Sequence, residues 1–184
     1  WLALIVLLLT AGFIFASDSP SVKVYENFTL EDYNKKKHSL HDFSDKNGIV
    51  LLFISTKCPV SNAYNERMAK LHNEYGSKFS FIGINSNKTE DIEEIGEHAE
   101  ENNLDFVILK DLNNVIADKF EASFTPEVYI LSNKFEQLYH GRIDDSRREK
   151  DVEETDLSNT LDQIAKGEEV SVKKTKAFGC TIKR

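Results

Sequence analysis

Cysteine is scarce in this chain, with only Cys58 and Cys180 among 184 residues. Proline occurs at three positions, Pro20, Pro59 and Pro126. The longest apolar run, Leu2–Ala16, is broken only by Thr10 and Gly12 and is shorter than the ~20 residues a spanning helix needs. A net charge of −8, a pI near 5.2 and the lack of a basic stripe argue against a nucleic-acid partner. There is no glycine-rich phosphate loop, no pair of catalytic carboxylates and no Ser-His-Asp arrangement. Internal repeats and low-complexity tracts are also missing. None of the five histidines, His38, His41, His72, His98 and His140, forms a tight ligand pair with a cysteine. They read as surface or partly packed side chains rather than copper or zinc ligands, and no cofactor is expected.

What is present is a chain that is 40% hydrophobic and long enough for one domain with a full core. Its most informative residue is Cys58. The unbroken apolar run Ile49–Ile54 precedes it, and an amphipathic stretch opens with Pro59 and Val60. That layout places a thiol between a buried strand and a helix N-terminus, where free N–H groups and the helix dipole favour a thiolate. Lys57 adds a neighbouring cation. Two cysteines, one in this setting and one near residue 184, suggest thiol–disulfide chemistry.

The periodicities predict the other elements. Phe28–Leu30 and His38–Leu40 flank Asn34–Lys37 as a hairpin. Residues 49–55 form a strand buried on both faces. Val60, Tyr64, Met68, Leu71 and Tyr75 share one helical face, which Gly76 ends. Phe79, Phe81 and Ile84 mark a strand. Thr89 caps a helix carrying Ile92, Ile95 and Ala99. Phe106–Leu109 is a strand, followed by a short helix with Val115, Ile116 and Phe120. Val128–Leu131 and Gln137–His140 pair as a hairpin. Residues 144–156 are charged and read as a solvated loop, and Glu127 as an exposed turn residue in preference to a proton relay. Leu157, Leu161 and Ile164 mark a last helix closed by Gly167. Strand–helix units followed by a hairpin and a helix give an α/β fold, a central mixed sheet flanked by helices with an N-terminal hairpin extension.

The run Phe53-Ile54-Ser55-Thr56-Lys57-Cys58-Pro59, then Thr125-Pro126, then Gly141 after a hairpin resembles the thioredoxin-like superfamily. Within it the chain is most similar to exported bacterial proteins of the redoxin, or alkyl hydroperoxide reductase/thiol-specific antioxidant, group. Ile82–Asn87, Thr125–Val128, Tyr139–Asp145 and Gly179–Ile182 also match that group, over roughly residues 25–184. The resemblance implies a cis proline at Pro126, with Thr125 and Pro126 exposing backbone to a strand-like substrate. It also brings the pattern Cys-x-x-Cys, which here reads Cys58-Pro59-Val60-Ser61. Ser61 replaces the second thiol, so Cys180 is the candidate resolving residue. The twelve residues from Glu169 to Cys180 span roughly 40 Å when extended at ~3.3 Å each. That is enough to cross a domain whose radius of gyration is ~16 Å.

Competing readings stand beside this one. Peroxiredoxins resemble Pro-x-x-x-Thr-x-x-Cys, and here those positions hold Leu51 and Ser55, so peroxide reduction is the alternative activity. A non-catalytic binding domain with a structural Cys58–Cys180 bridge is the other. Expected partners are a protein or small-molecule disulfide, or a peroxide, and an unidentified electron donor. Residues 1–19 read as a truncated secretory signal ending near Ala16, or as an uncleaved anchor, because Ile14 replaces the usual small residue. A membrane would be met only through that segment. The implied organisation is an exported, periplasmic thioredoxin-like domain at 25–167 and a tail at 168–184 bearing Cys180.

Overall fold

The computed structural model describes residues 22–184. The expected signal or anchor at 1–19 lies outside the described residues. The strands are β1 (Thr29–Asp32), β2 (Lys37–Ser39), β3 (Ile49–Phe53), β4 (Ser80–Asn85), β5 (Val107–Lys110), β6 (Phe124–Thr125), β7 (Glu127–Leu131), β8 (Gln137–Gly141) and β9 (Cys180–Thr181). The α-helices are α1 (Pro59–Asn62), α2 (Asn65–Tyr75), α3 (Ile92–Glu101), α4 (Val115–Phe120) and α5 (Asp156–Ala165).

Seven strands form one sheet in the order β2-β1-β5-β4-β3-β7-β8. β3, β4 and β5 run parallel, while β1, β7 and β8 join antiparallel, so the sheet is mixed as expected. The continuous apolar sequence of β3 follows from its central place. Val50 and Leu52 point to a core shared with Tyr64 and with Met68, Ile95 and Leu157 from α2, α3 and α5. Ile49, Leu51 and Phe53 point to a second core with Ile116 and Phe120 of α4 and with Tyr25 and Phe28. Alternate residues of a strand face opposite sides, so a strand covered on both must be apolar throughout.

Four local expectations are corrected. The helix after Cys58 is broken: α1 ends at Asn62, and Tyr64 N–H bonds to the Ser61 carbonyl before α2 begins. The cap of α3 is Asp91, whose carboxylate accepts from Glu94 N–H, while Thr89 lends its carbonyl to Lys57. The 144–156 stretch is not wholly solvated: Asp144 is 4% exposed and pairs with Arg67. Glu127 is buried at 3% exposure rather than exposed on a turn. A carboxylate is tolerated there because it satisfies four groups, as detailed below.

The segment after α5 packs along the body. His140 N–H donates to the Lys173 carbonyl at 3.1 Å, and Thr175 N–H donates to the His140 carbonyl at 3.0 Å. The crossing needs Gly141, because a Cβ there would lie 2.0 Å from Thr175 Oγ1. Val170, Ala177 and Ile182 are buried. No helix among the described residues is long and apolar enough to cross a membrane.

Candidate active site

Cys58 sits just beyond the carboxyl end of β3 and is the N-cap of α1, 4% exposed. Pro59 occupies the first helical turn, where its missing N–H costs nothing. Ser61 N–H points at Cys58 Sγ from 3.3 Å, a donor that would hold a thiolate. The other two sources of acidity are weaker than the sequence suggested. α1 is a single turn, so its dipole is small. The Lys57 ammonium is bound to Glu94 at 2.7 Å and to the Thr89 carbonyl at 2.7 Å, so its charge is already paired.

Ser61 is buried, and its hydroxyl accepts from Ser55 N–H at 3.1 Å, closing the turn from inside. Ser55 Oγ in turn accepts from Cys58 N–H at 2.9 Å and donates to Glu90 Oε1 at 2.5 Å. Glu90, 3% exposed, also accepts from Thr56 N–H at 2.8 Å and Asn85 Nδ2 at 2.6 Å. This carboxylate beneath the cysteine turn escaped the sequence reading. Its only signal was its place in a short polar stretch after β4.

Across from the turn the Thr125–Pro126 peptide bond is cis, and the Thr125 carbonyl oxygen lies 3.3 Å from Cys58 Sγ. Cys180 is bonded to Cys58, with Cα atoms 5.9 Å apart and a sequence separation of 122. β9 pairs antiparallel with β6 in the register Phe124↔Thr181 and Thr125↔Cys180. The disulfide therefore lies directly over the Pro126 loop. A cavity of about 180 Å³, lined in part by Ser55, Lys57, Asn87 and Glu90, opens beside it. All seven residues singled out in the sequence thus gather here: Lys57, Cys58, Pro59, Ser61, Thr125, Pro126 and Cys180.

Glu127 braces the loop. Its Oε2 accepts from Ser123 N–H at 2.8 Å and Phe124 N–H at 2.9 Å, and its Oε1 meets His140 Nε2 at 2.6 Å and Tyr129 OH at 3.2 Å. Burial pushes this carboxyl up, but the His140 contact and the two amides outweigh it and hold the pKa below the ordinary 4.5. A lowered folded-state pKa adds stability above the unfolded value, and that stability is lost as pH falls through the folded value. Acid titration below pH 4.5 should therefore erode stability in the wild type more than in Glu127→Gln, measured by urea unfolding at stepped pH. Parallel curves for the two proteins would remove Glu127 from the account.

A match to the AhpC/TSA family covers residues 23–142. The chain belongs to the AhpC/TSA family. It is 31% identical over 109 residues to the thioredoxin-like protein YneN of Bacillus subtilis, an alignment covering 59% of this chain and 63% of that relative. The chain thus matches less than two thirds of that relative's length. Among solved structures it is similar to the hypothetical protein SMc02350 of Sinorhizobium meliloti 1021, with a TM-score of 0.82 and 28% identity over 90% of this chain and 96% of that one. It is also similar to an uncharacterized conserved protein of Geobacillus kaustophilus, with a TM-score of 0.83 and 29% identity over 90% and 92% of the two chains. The fold is thioredoxin-like, and the family agrees with the redoxin resemblance seen in the sequence.

Proposed function

We propose that this AhpC/TSA-family protein is a thiol–disulfide oxidoreductase in which Cys58 is the attacking thiolate and Cys180 the resolving thiol. The observation that carries the reading is the Cys58–Cys180 bond lying over the Thr125–Pro126 loop. In the first step the Cys58 thiolate attacks a substrate disulfide, forming a mixed disulfide and expelling one substrate thiolate. In the second the Cys180 thiolate attacks Cys58 Sγ, expelling the other. The substrate gains two electrons and the enzyme ends with the Cys58–Cys180 bond. An external dithiol then reduces that bond and completes the cycle.

Peroxide reduction is the less favoured activity. The Ser55 hydroxyl, at the position of the peroxiredoxin threonine, spends its proton on Glu90 and accepts from Cys58 N–H, so it is committed to holding the turn. A purely structural bridge would make the cavity beside the disulfide idle. The proposed division is a domain at 25–167 and a redox tail at 168–184. An oxidising, periplasmic setting, reached through the apolar segment at 2–16, would suit a persistent disulfide.

Cys180→Ser tests the assignment of roles. The variant should form a stable mixed disulfide through Cys58 after a single attack, visible by mass spectrometry, and in a single turnover of reduced protein without external dithiol the release of the second substrate thiol should fall to the background rate. Release at the wild-type rate would remove Cys180 from the mechanism. Rapid consumption of hydrogen peroxide by the reduced wild type, with Cys58 trapped as sulfenic acid, would favour the peroxidase instead.

A further inference from the structure

Residues 179–184 lie in a groove bonded on both edges. On one side β9 pairs with β6, and Ile182 N–H donates to the Ser123 carbonyl at 3.0 Å. On the other, Lys183 N–H donates to Asn87 Oδ1 at 2.9 Å, and Lys88 N–H donates to the Lys183 carbonyl at 3.0 Å. Arg184 reaches Asp118 and the Ala122 carbonyl. Apart from the Asn87 and Asp118 side chains these partners are backbone groups, which would accept any extended chain. Two positions are selective. Ile182, two residues after the cysteine, is 5% exposed and joins the core that holds Phe53, Ile84, Ile116 and Phe120. Gly179, one before it, has φ +155°, and a Cβ there would lie 2.1 Å from the Thr125 carbonyl oxygen. Thr181 and Lys183 are exposed and carry no such demand.

Resting on the oxidoreductase reading, we infer that this groove is the substrate site and that the protein's own segment 179–183 occupies it as a substrate would. The site then takes an extended segment of a partner protein with the pattern Gly-Cys-x-apolar, its cysteine engaged in a disulfide. Backbone pairing with Thr125 supplies affinity, and the two side-chain positions supply selectivity. The oxidised protein is closed to such a segment because its own strand fills the groove. Reduction of Cys58–Cys180 by the external dithiol leaves two thiols and lets the strand depart. A partner disulfide enters, and Cys58 attacks its cysteine sulfur while the second partner sulfur leaves as thiolate. When β9 returns, Cys180 attacks Cys58 Sγ and the partner thiolate leaves. Return of the strand evicts the product from the same groove, so chemical resolution and product release are one event.

The test uses the full chain carrying Cys180→Ser, reduced, with an eight-residue peptide of the sequence Ala-Phe-Gly-Cys-Thr-Ile-Lys-Arg activated as its thionitrobenzoate disulfide. Thionitrobenzoate release gives a second-order rate constant. Replacing the peptide isoleucine by aspartate should slow attack about tenfold to a hundredfold, the factor that burial of one isoleucine side chain supplies. Replacing the peptide glycine by valine should slow it similarly. Adding Ile182→Asp to the protein should raise the rate with the parent peptide, because the protein's own strand competes less. Dithiobis(nitrobenzoate), which offers no side chain to the groove, reports how open Cys58 is in each protein variant, and the peptide rates are read relative to it. Equal rates for the isoleucine and aspartate peptides, with the small disulfide still reacting fast, would overturn the groove and leave the oxidoreductase reading standing. No reaction of Cys58 with any of these disulfides would overturn that reading itself.

Discussion

Breaking the Cys58–Cys180 bond should lower the stability of this protein by about 4–5 kcal/mol, measured as the urea-unfolding free energy of oxidised wild type against the Cys58→Ser/Cys180→Ser variant. The reason lies in the unfolded chain. The bond closes a loop of 122 residues, and the loop-closure entropy removed from the unfolded ensemble is worth about 4.9 kcal/mol at that length. The m-value should also rise in the variant, because an uncrosslinked chain exposes more surface when it unfolds. A difference below about 1 kcal/mol would mean that the segment carrying Cys180 holds the unfolded chain little. The same quantity bears on function. By the thermodynamic cycle, whatever the bond adds to folding, folding adds to the bond, so the folded protein favours its oxidised form. That fits a cycle in which the internal disulfide is the product of substrate reduction and an external dithiol must restore the thiols.

The features legible in the sequence were those that depend on neighbours in the chain. β3 could be read because a strand covered on both faces has no polar position to spare. Cys58 could be read because a strand end, a proline at the first helical turn and an amphipathic continuation stand in eight consecutive residues. The Thr125–Pro126 loop was read through the resemblance to the thioredoxin-like superfamily, and its bond is cis. What escaped depends on distant partners. Glu127 looks like any turn carboxylate until His140 and the Ser123 and Phe124 amides are folded around it. Glu90 is separated from Ser55 by 35 positions, and Asp144 from Arg67 by 77. Burial of a charge is set by such partners and not by local pattern. The packing of segment 168–184 escaped because its buried residues, Val170, Ala177 and Ile182, follow no helical or strand period. It lies along a surface by single contacts, so no periodicity marks it. The break after α1 escaped for a related reason. Ser61 turns inward to cap Ser55 N–H, and an apolar stripe alone does not reveal that.

Asp144→Ala should cost about 3–5 kcal/mol, the penalty for leaving a buried guanidinium without its counter-charge. Both side chains are almost fully covered, at 6% exposure for Asp144 and 9% for Arg67, and their charged atoms are 2.5 Å apart. Asp144 also accepts from Tyr64 OH at 2.8 Å, and the Arg67 guanidinium lies 3.6 Å from the Tyr64 ring centroid. Arg67 further donates to the carbonyls of Ser146 at 2.8 Å and Arg147 at 2.6 Å. One carboxylate thus ties the α1–α2 junction to the loop that follows β8. Asp144→Asn keeps an acceptor oxygen for one of the two donors and should cost less. Urea unfolding of the two variants beside the wild type checks the order. A cost for Asp144→Ala below about 1 kcal/mol would place the pair with solvent-exposed ion pairs. The consequence reaches the active site through Tyr64, which begins α2 six residues after Cys58. A loosened junction should let α1 fray, and Ser61 N–H would then point less firmly at Cys58 Sγ. Alkylation of reduced Asp144→Ala at neutral pH should accordingly be slower at Cys58 than in the wild type under conditions where both remain folded, because fewer thiols would be ionised. Unchanged alkylation with the full stability cost would confine Asp144 to holding the fold.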